Sequence, residues 1–143
     1  MRTRSWIVAA LAWLVLQACS TPMGLSGGGT PAGVPTPCGS TPCKLGVAVQ
    51  WTFVGQLQPV PSIDTLEGRG QSTITWDITT SGYTFAGPGI EFNGQGREVF
   101  QCSKTSDTQV VCSNRGTPGN YKYVITAKGG SFNVYPNDPW VVN

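Results

Sequence analysis

The stretch FQCSKTSDTQVVCSN, residues 100–114, restricts the possible folds more than any other part of the chain. Two β-prone arms flank a polar centre, and folding the segment about Asp107 sets Cys102 directly opposite Cys112. Cysteines opposed across an antiparallel pair can bridge where the side chains approach most closely. One hairpin and its register are therefore written into the chain. Closing this loop contributes about 2.8 kcal/mol on chain-entropy grounds, and a Cys38–Cys43 bridge across the short GSTP loop contributes about 2.2 kcal/mol. With Cys19 set apart, the cysteines number an even four, the usage of an oxidising compartment, and four allow three connectivities.

Around this hairpin the hydrophobic period is two. Val47, Val49, Trp51 and Phe53 alternate with Ala48, Gln50, Thr52 and Val54 in a first strand. Residues 56–70, with two prolines, read as a long loop. Ile74, Trp76 and Ile78 then share one face, with Thr73, Thr75, Asp77 and Thr79 on a solvated one. Gly82, Gly87-Pro88-Gly89 and Asn93-Gly94-Gln95-Gly96 punctuate further strands carrying Tyr83, Phe85, Ile90 and Phe92. Residues 116–120 make another turn before Tyr121, Tyr123, Ile125 and Ala127. The pattern predicts seven to nine short strands, no convincing helix, and an all-β antiparallel two-sheet sandwich over residues 45–143, with a small β-barrel as the alternative. Alternation assigns Trp51, Trp76, Phe85, Phe92 and Phe100 to its core.

The N-terminal part is organised differently. Arg2 and Arg4 precede an almost wholly apolar run from Trp6 to Leu16. As a helix rising about 1.5 Å per residue, that run is far shorter than a bilayer core of ~30 Å, so it reads as a signal segment. The run ends in Leu16, Gln17, Ala18, Cys19, which resembles the lipobox of bacterial lipoprotein precursors. The resemblance implies cleavage before Cys19, a diacylglyceryl thioether on its sulfur and acylation (palmitate or a similar chain) of the new amino group. An ordinary secretory signal is the other reading, although Leu16 departs from its small-x-small pattern. Ser20 after the modified cysteine, where such precursors use Asp for inner-membrane retention, implies the outer membrane, with the domain facing the periplasm. Residues 1–18 are thus expected to be the signal peptide and 19–44 the lipidated terminus and tether. Residues 20–37, STPMGLSGGGTPAGVPTP, carry no charge and cannot pack a core; as a coil they span ~25 Å, and ~60 Å fully extended.

A second resemblance lies in the last third. F-x-C, V-x-C, then PGNYKYVIT and a terminal DPWVVN are similar to blocks in small, uncharacterised proteobacterial envelope proteins. That resemblance covers about residues 89–143 and implies an immunoglobulin- or cupredoxin-like sandwich. It carries no activity with it. An immunoglobulin-type inter-sheet bridge, Cys43 to Cys102, is the competing connectivity that this fold brings to mind.

Charge and composition exclude several functions. The 9 Lys and Arg face 7 Asp and Glu, and without Arg2 and Arg4 the two signs balance, so no basic patch points to nucleic acid. There is no His, which removes type-1 copper ligation and any His-based triad or general base. Cys38 and Cys43 are spaced too widely for a C-x-x-C redox motif, and zinc would need all four thiolates. No metal and no cofactor is expected. An envelope hydrolase would have to use loop carboxylates such as Asp64 and Glu67, a pairing that any chain with seven acids offers. The remaining asset is aromatic. Tyr121, Tyr123, Tyr135 and Trp140 crowd the last strands and form the candidate binding surface for an envelope protein or glycan, alongside the membrane contact through Cys19. The expected function is a non-catalytic binding or accessory module; a purely structural spacer is the remaining alternative.

Digestion of the unreduced protein is expected to yield a Cys38–Cys43 peptide and a Cys102–Cys112 peptide. A recovered Cys43–Cys102 pair would require a different strand arrangement.

Overall fold

A computed structural model describes residues 33–143. The signal segment, the Leu16–Cys19 motif and most of the tether lie outside the described residues. Ten strands and one helical turn follow in the order β1 (Thr36–Pro37), β2 (Cys43–Trp51), β3 (Leu57–Pro61), β4 (Thr65–Glu67), β5 (Thr73–Ile78), β6 (Tyr83–Phe92), α1 (Gly96–Val99), β7 (Phe100–Ser106), β8 (Gln109–Asn114), β9 (Asn120–Gly129) and β10 (Trp140–Val142). They build two five-stranded sheets, β1-β4-β10-β9-β6 and β3-β2-β5-β8-β7. The sheets do not close into a barrel. The architecture is a two-sheet β-sandwich.

Several sequence expectations are corrected by particular residues. The expected long loop over residues 56–70 contains β3 and β4. Its prolines misled because Pro59 and Pro61 lie on an edge strand opposite Val49 and Val47, where a missing N–H leaves no ladder bond unmade. The sheets are mixed, not antiparallel throughout: β2 pairs with β5, and β4 with both β1 and β10, in parallel. Strand formation also starts before Leu45, since Thr36–Pro37 pairs with Leu66–Glu67 and β2 begins at Cys43. The turn after Phe92 carries the single helical turn α1.

The cysteine hairpin forms as its spacing implies. Cys102 pairs with Cys112 across β7 and β8, with Asp107 and Thr108 in the turn and a one-residue irregularity between Lys104 and Ser106. Cys38 and Cys43 form the other pair. Lys104 Nζ meets Asp107 Oδ1 at 3.0 Å and donates to the Phe85 carbonyl at 3.0 Å, tying the hairpin to β6.

The core centres on Trp76 of β5 and Tyr123 of β9, both fully buried and contributed by opposite sheets. Trp76 Nε1–H donates to Tyr123 Oη at 3.2 Å, and their rings meet edge to face at 5.4 Å. Phe92 lies 5.2 Å from Tyr123 and stacks on Phe100 at 3.9 Å, and Phe100 meets Tyr121 at 5.3 Å. Aromatic pairs in these geometries contribute about 0.5–1.5 kcal/mol each beyond the area they bury. At the end of the sandwich where β10 finishes, Asn114 and Asn143 exchange amide bonds at 2.9 and 3.0 Å. Asn114 also donates to the Gly68 carbonyl. A side chain at position 68 would collide with Val141 and Asn143, so only glycine lets the chain pass there.

Burial holds the Tyr123 phenol well above its ordinary 10.0; the Trp76 hydrogen bond works the other way, and the Asp64 charge adds a smaller rise. The unfolded chain ionises this phenol near its ordinary value, whereas the folded chain keeps it neutral. Its contribution to stability is therefore full below about pH 10 and declines as pH rises further. Tyr123→Phe leaves the Trp76 N–H buried without a partner and is expected to cost about 1–3 kcal/mol at neutral pH. Denaturation measured against pH should show wild type and variant converging above pH 10. Parallel curves would mean that Tyr123 does not control the alkaline limb.

Candidate functional site

The candidate site is built by a mismatch of strand lengths. β2 pairs in parallel with β5 from Cys43↔Ile74 to Val47↔Ile78, where β5 ends. Thr79 and Thr80 follow β2 a little further, with Val49 N–H donating to Thr80 Oγ1 at 2.8 Å. Beyond that, Gln50 and Trp51 pair only with β3, through Gln58 and Leu57. Four residues past Val47, at about 3.3 Å each, carry the hairpin roughly 13 Å beyond the end of β5. Thr52 closes its turn, donating N–H to the Gln56 carbonyl at 2.8 Å while its hydroxyl donates to the same oxygen. Gly55 takes a φ of 74° in that turn, a conformation glycine adopts without steric cost.

Trp51 stands on the inward parity of β2, after Cys43, Leu45, Val47 and Val49, yet it is 58 % exposed. Alternation assigned Trp51 to the core and placed Phe53 on the same face. Both leave the core past the end of β5, where Val49 and Leu57 are the last buried side chains of the hairpin, and Phe53, in the turn, is fully exposed beside an exposed Val54. The ring of Phe132 packs edge to face on Trp51 at 5.4 Å and 71° and is itself 62 % exposed. Phe132 belongs to the segment after β9, which returns alongside the hairpin: Val134 bridges to Leu57, and Tyr135 N–H donates to the Leu57 carbonyl at 2.8 Å. Tyr135 is also exposed. One end of the sandwich therefore presents Trp51, Phe53, Val54, Phe132 and Tyr135.

The four aromatics singled out from the sequence separate. Tyr123 is the buried partner of Trp76. Tyr121 is buried as well, its hydroxyl directed to the Thr117 and Pro118 carbonyls, and burial raises its pKa. Trp140 is half-buried with Lys122 Nζ 5.8 Å over its ring, and Lys122 is ion-paired with Asp138. Only Tyr135 belongs to the exposed aromatic end. Sequence reasoning passed over Phe132, Phe53 and Trp51 as surface residues, although a signal was present. Residues 45–63 and 129–137 contain no Asp, Glu, Lys or Arg, and their aromatics sit among turn residues.

Carboxylate chemistry finds no such gathering. Asp64 lies just before β4 and Glu67 at its end. Glu67 borders a surface depression with Pro35, Arg69, Val142 and Asn143, and Glu91 borders another with Arg97 and Phe100; neither holds a second carboxylate. Among the described residues, no three of His, Cys, Asp and Glu come together as a metal would need, and no helix is long and apolar enough to cross a membrane. The sequence matches no protein-family model and no curated relative.

Phe53→Ser and Val54→Ser are each expected to change folding stability by less than about 0.5 kcal/mol, because neither side chain is buried. Trp76→Ala is expected to cost about 3–5 kcal/mol. Denaturant midpoints check both. A loss of several kcal/mol at Phe53 would return it to the core.

Proposed function

We propose that this protein is a lipid-anchored lipoprotein of the bacterial outer membrane, facing the periplasm, whose β-sandwich acts by contact as a non-catalytic binding or accessory module. The observation that carries the reading is the exposed Trp51–Phe132 pair with Phe53, Val54 and Tyr135 beside it. A monomeric surface seldom leaves large apolar side chains together unless something covers them, and a pure spacer has no use for them. The Leu16–Cys19 motif and its preceding apolar run support the anchor. The two local cysteine pairs suit an oxidising compartment outside the cytoplasm.

Cys19→Ala is expected to leave the protein unacylated, and either uncleaved at the signal or released from the membrane fraction. Fractionation with intact-mass measurement checks this, and a wild-type protein whose mature terminus begins beyond Cys19 would refute the anchor. A benzophenone amino acid placed at Phe53 is expected to give photo-adducts in intact envelopes, whereas one at the exposed Arg115 is not. Absence of adducts at Phe53 would favour a spacer.

A further inference from the structure

We infer that the projecting β2–β3 hairpin is a second membrane contact, with Trp51, Phe53, Val54 and Phe132 seated in the interfacial zone of the bilayer to which the chain is anchored. The inference rests on the lipid-anchor reading and names the partner of the aromatic end. Its first support is shape. The hairpin extends past the end of β5, so its tip is convex, and the four surface depressions described are lined by other residues. Trp51 and Phe132 meet at 71°. They offer no flat platform for a sugar ring, and recognition of a small ligand is favoured by concavity.

The second support is the state of the strand edge. A peptide adding to a sheet needs free backbone groups. At the tip, the outer side of β3 is already occupied, by the Leu57–Val134 bridge and the bond from Tyr135 N–H to the Leu57 carbonyl, and the other side of β2 is unpaired only over Gln50 and Trp51, a short run for an added strand. The third is charge. Residues 45–63 and 129–137 hold no Asp, Glu, Lys or Arg, so these segments meet a bilayer without desolvating an ion. Trp and Tyr favour the headgroup level, while Phe and Val favour the acyl boundary below it.

The fourth support is the path of the chain. β10 runs antiparallel to β9 and away from the end where Gly129 leads to Phe132. β4 runs parallel to β10, and β1 parallel to β4. The chain therefore travels along β1 away from the aromatic end, having joined the fold at Gly33 beside Thr65, level with Lys122 of β9 and seven residues short of Gly129. Residues 19–32 between the anchor and Gly33 reach at most about 50 Å. A tether of that length holds the tip near the lipid at an effective concentration on the order of millimolar. Weak insertion then suffices to hold the domain down on the surface.

The test uses the full lipidated protein in phosphatidylethanolamine–phosphatidylglycerol vesicles, with part of the lipid brominated on its acyl chains. Tryptophan emission is expected to be quenched, and Trp51→Phe should remove most of the effect, because Trp76 is enclosed and Trp140 lies under Lys122. Phe53→Ser combined with Val54→Ser should lower the docked population by about tenfold per side chain, without loss of the folded near-ultraviolet signature. Raising the salt should leave the quenching unchanged, since no ion pair is involved. A wild-type protein that sediments with vesicles but is not quenched overturns the docking and leaves the anchor standing. Quenching that survives the double serine variant also overturns it. So does a soluble envelope protein or oligosaccharide that shields Trp51 when no bilayer is present. An unacylated protein that is still quenched on adding vesicles keeps the docking and removes the anchor; one that is unquenched removes both.

Discussion

A hydrogen bond between two fully buried side chains joins the sheets at the centre of this molecule. Trp76 comes from the centre of one sheet and Tyr123 from the other, and the indole N–H has no neighbour in a hydrocarbon core except the phenol oxygen that faces it. An unpaired N–H at that depth is costly, so the bond specifies which residues of the sheets face each other. The surrounding rings of Phe92, Phe100 and Tyr121 then pack in one arrangement. Burial among these rings keeps the Tyr123 pKa elevated against the opposing pull of the Trp76 hydrogen bond, because a phenol enclosed this way has no solvent in which to ionise.

Once the sheets are locked in that relation, strand lengths decide the surface. β2 is in register with β5 only as far as Val47 and Ile78. Beyond that point β2 has only β3 for a backbone partner; Val49 and Leu57 are still buried there, but Trp51 and the turn after it are not. An apolar run that outlasts its core has to be exposed, and in this chain the exposed part carries a Trp, a Phe and a Val, joined by the Phe132 segment from the other sheet. The two contributing segments are far apart in sequence and meet through the backbone bridge at Leu57 and Val134 and the ring contact of Trp51 with Phe132. A contact surface assembled on a braced hairpin is better positioned than one on a free loop. Anchor, tether and projecting tip together form the arrangement proposed above, in which acyl chains supply the attachment and the tip sets the orientation of the domain.

Alternation and punctuation by themselves determined the all-β class, the cysteine hairpin with Cys102 opposite Cys112, and the burial of Trp76, Phe85, Phe92 and Phe100, because period two and turn chemistry are local properties of the chain. The expectation of a signal segment ending at Cys19 rests on an apolar run and a resemblance, and it lies outside the described residues. Tertiary structure decided the rest. Pro59 and Pro61 hid a strand because a proline is tolerated at an edge, and no local signal says which strand is an edge. Tyr121 and Tyr123 share the parity of Ile125 and Ala127, and the facing sheet covers all four. Trp51 shows the reverse case: its parity is that of a core residue, yet it is exposed because parity states which way a side chain points and not whether anything lies in that direction. Coverage depends on where the opposite sheet ends, and that is set by pairing between residues distant in sequence.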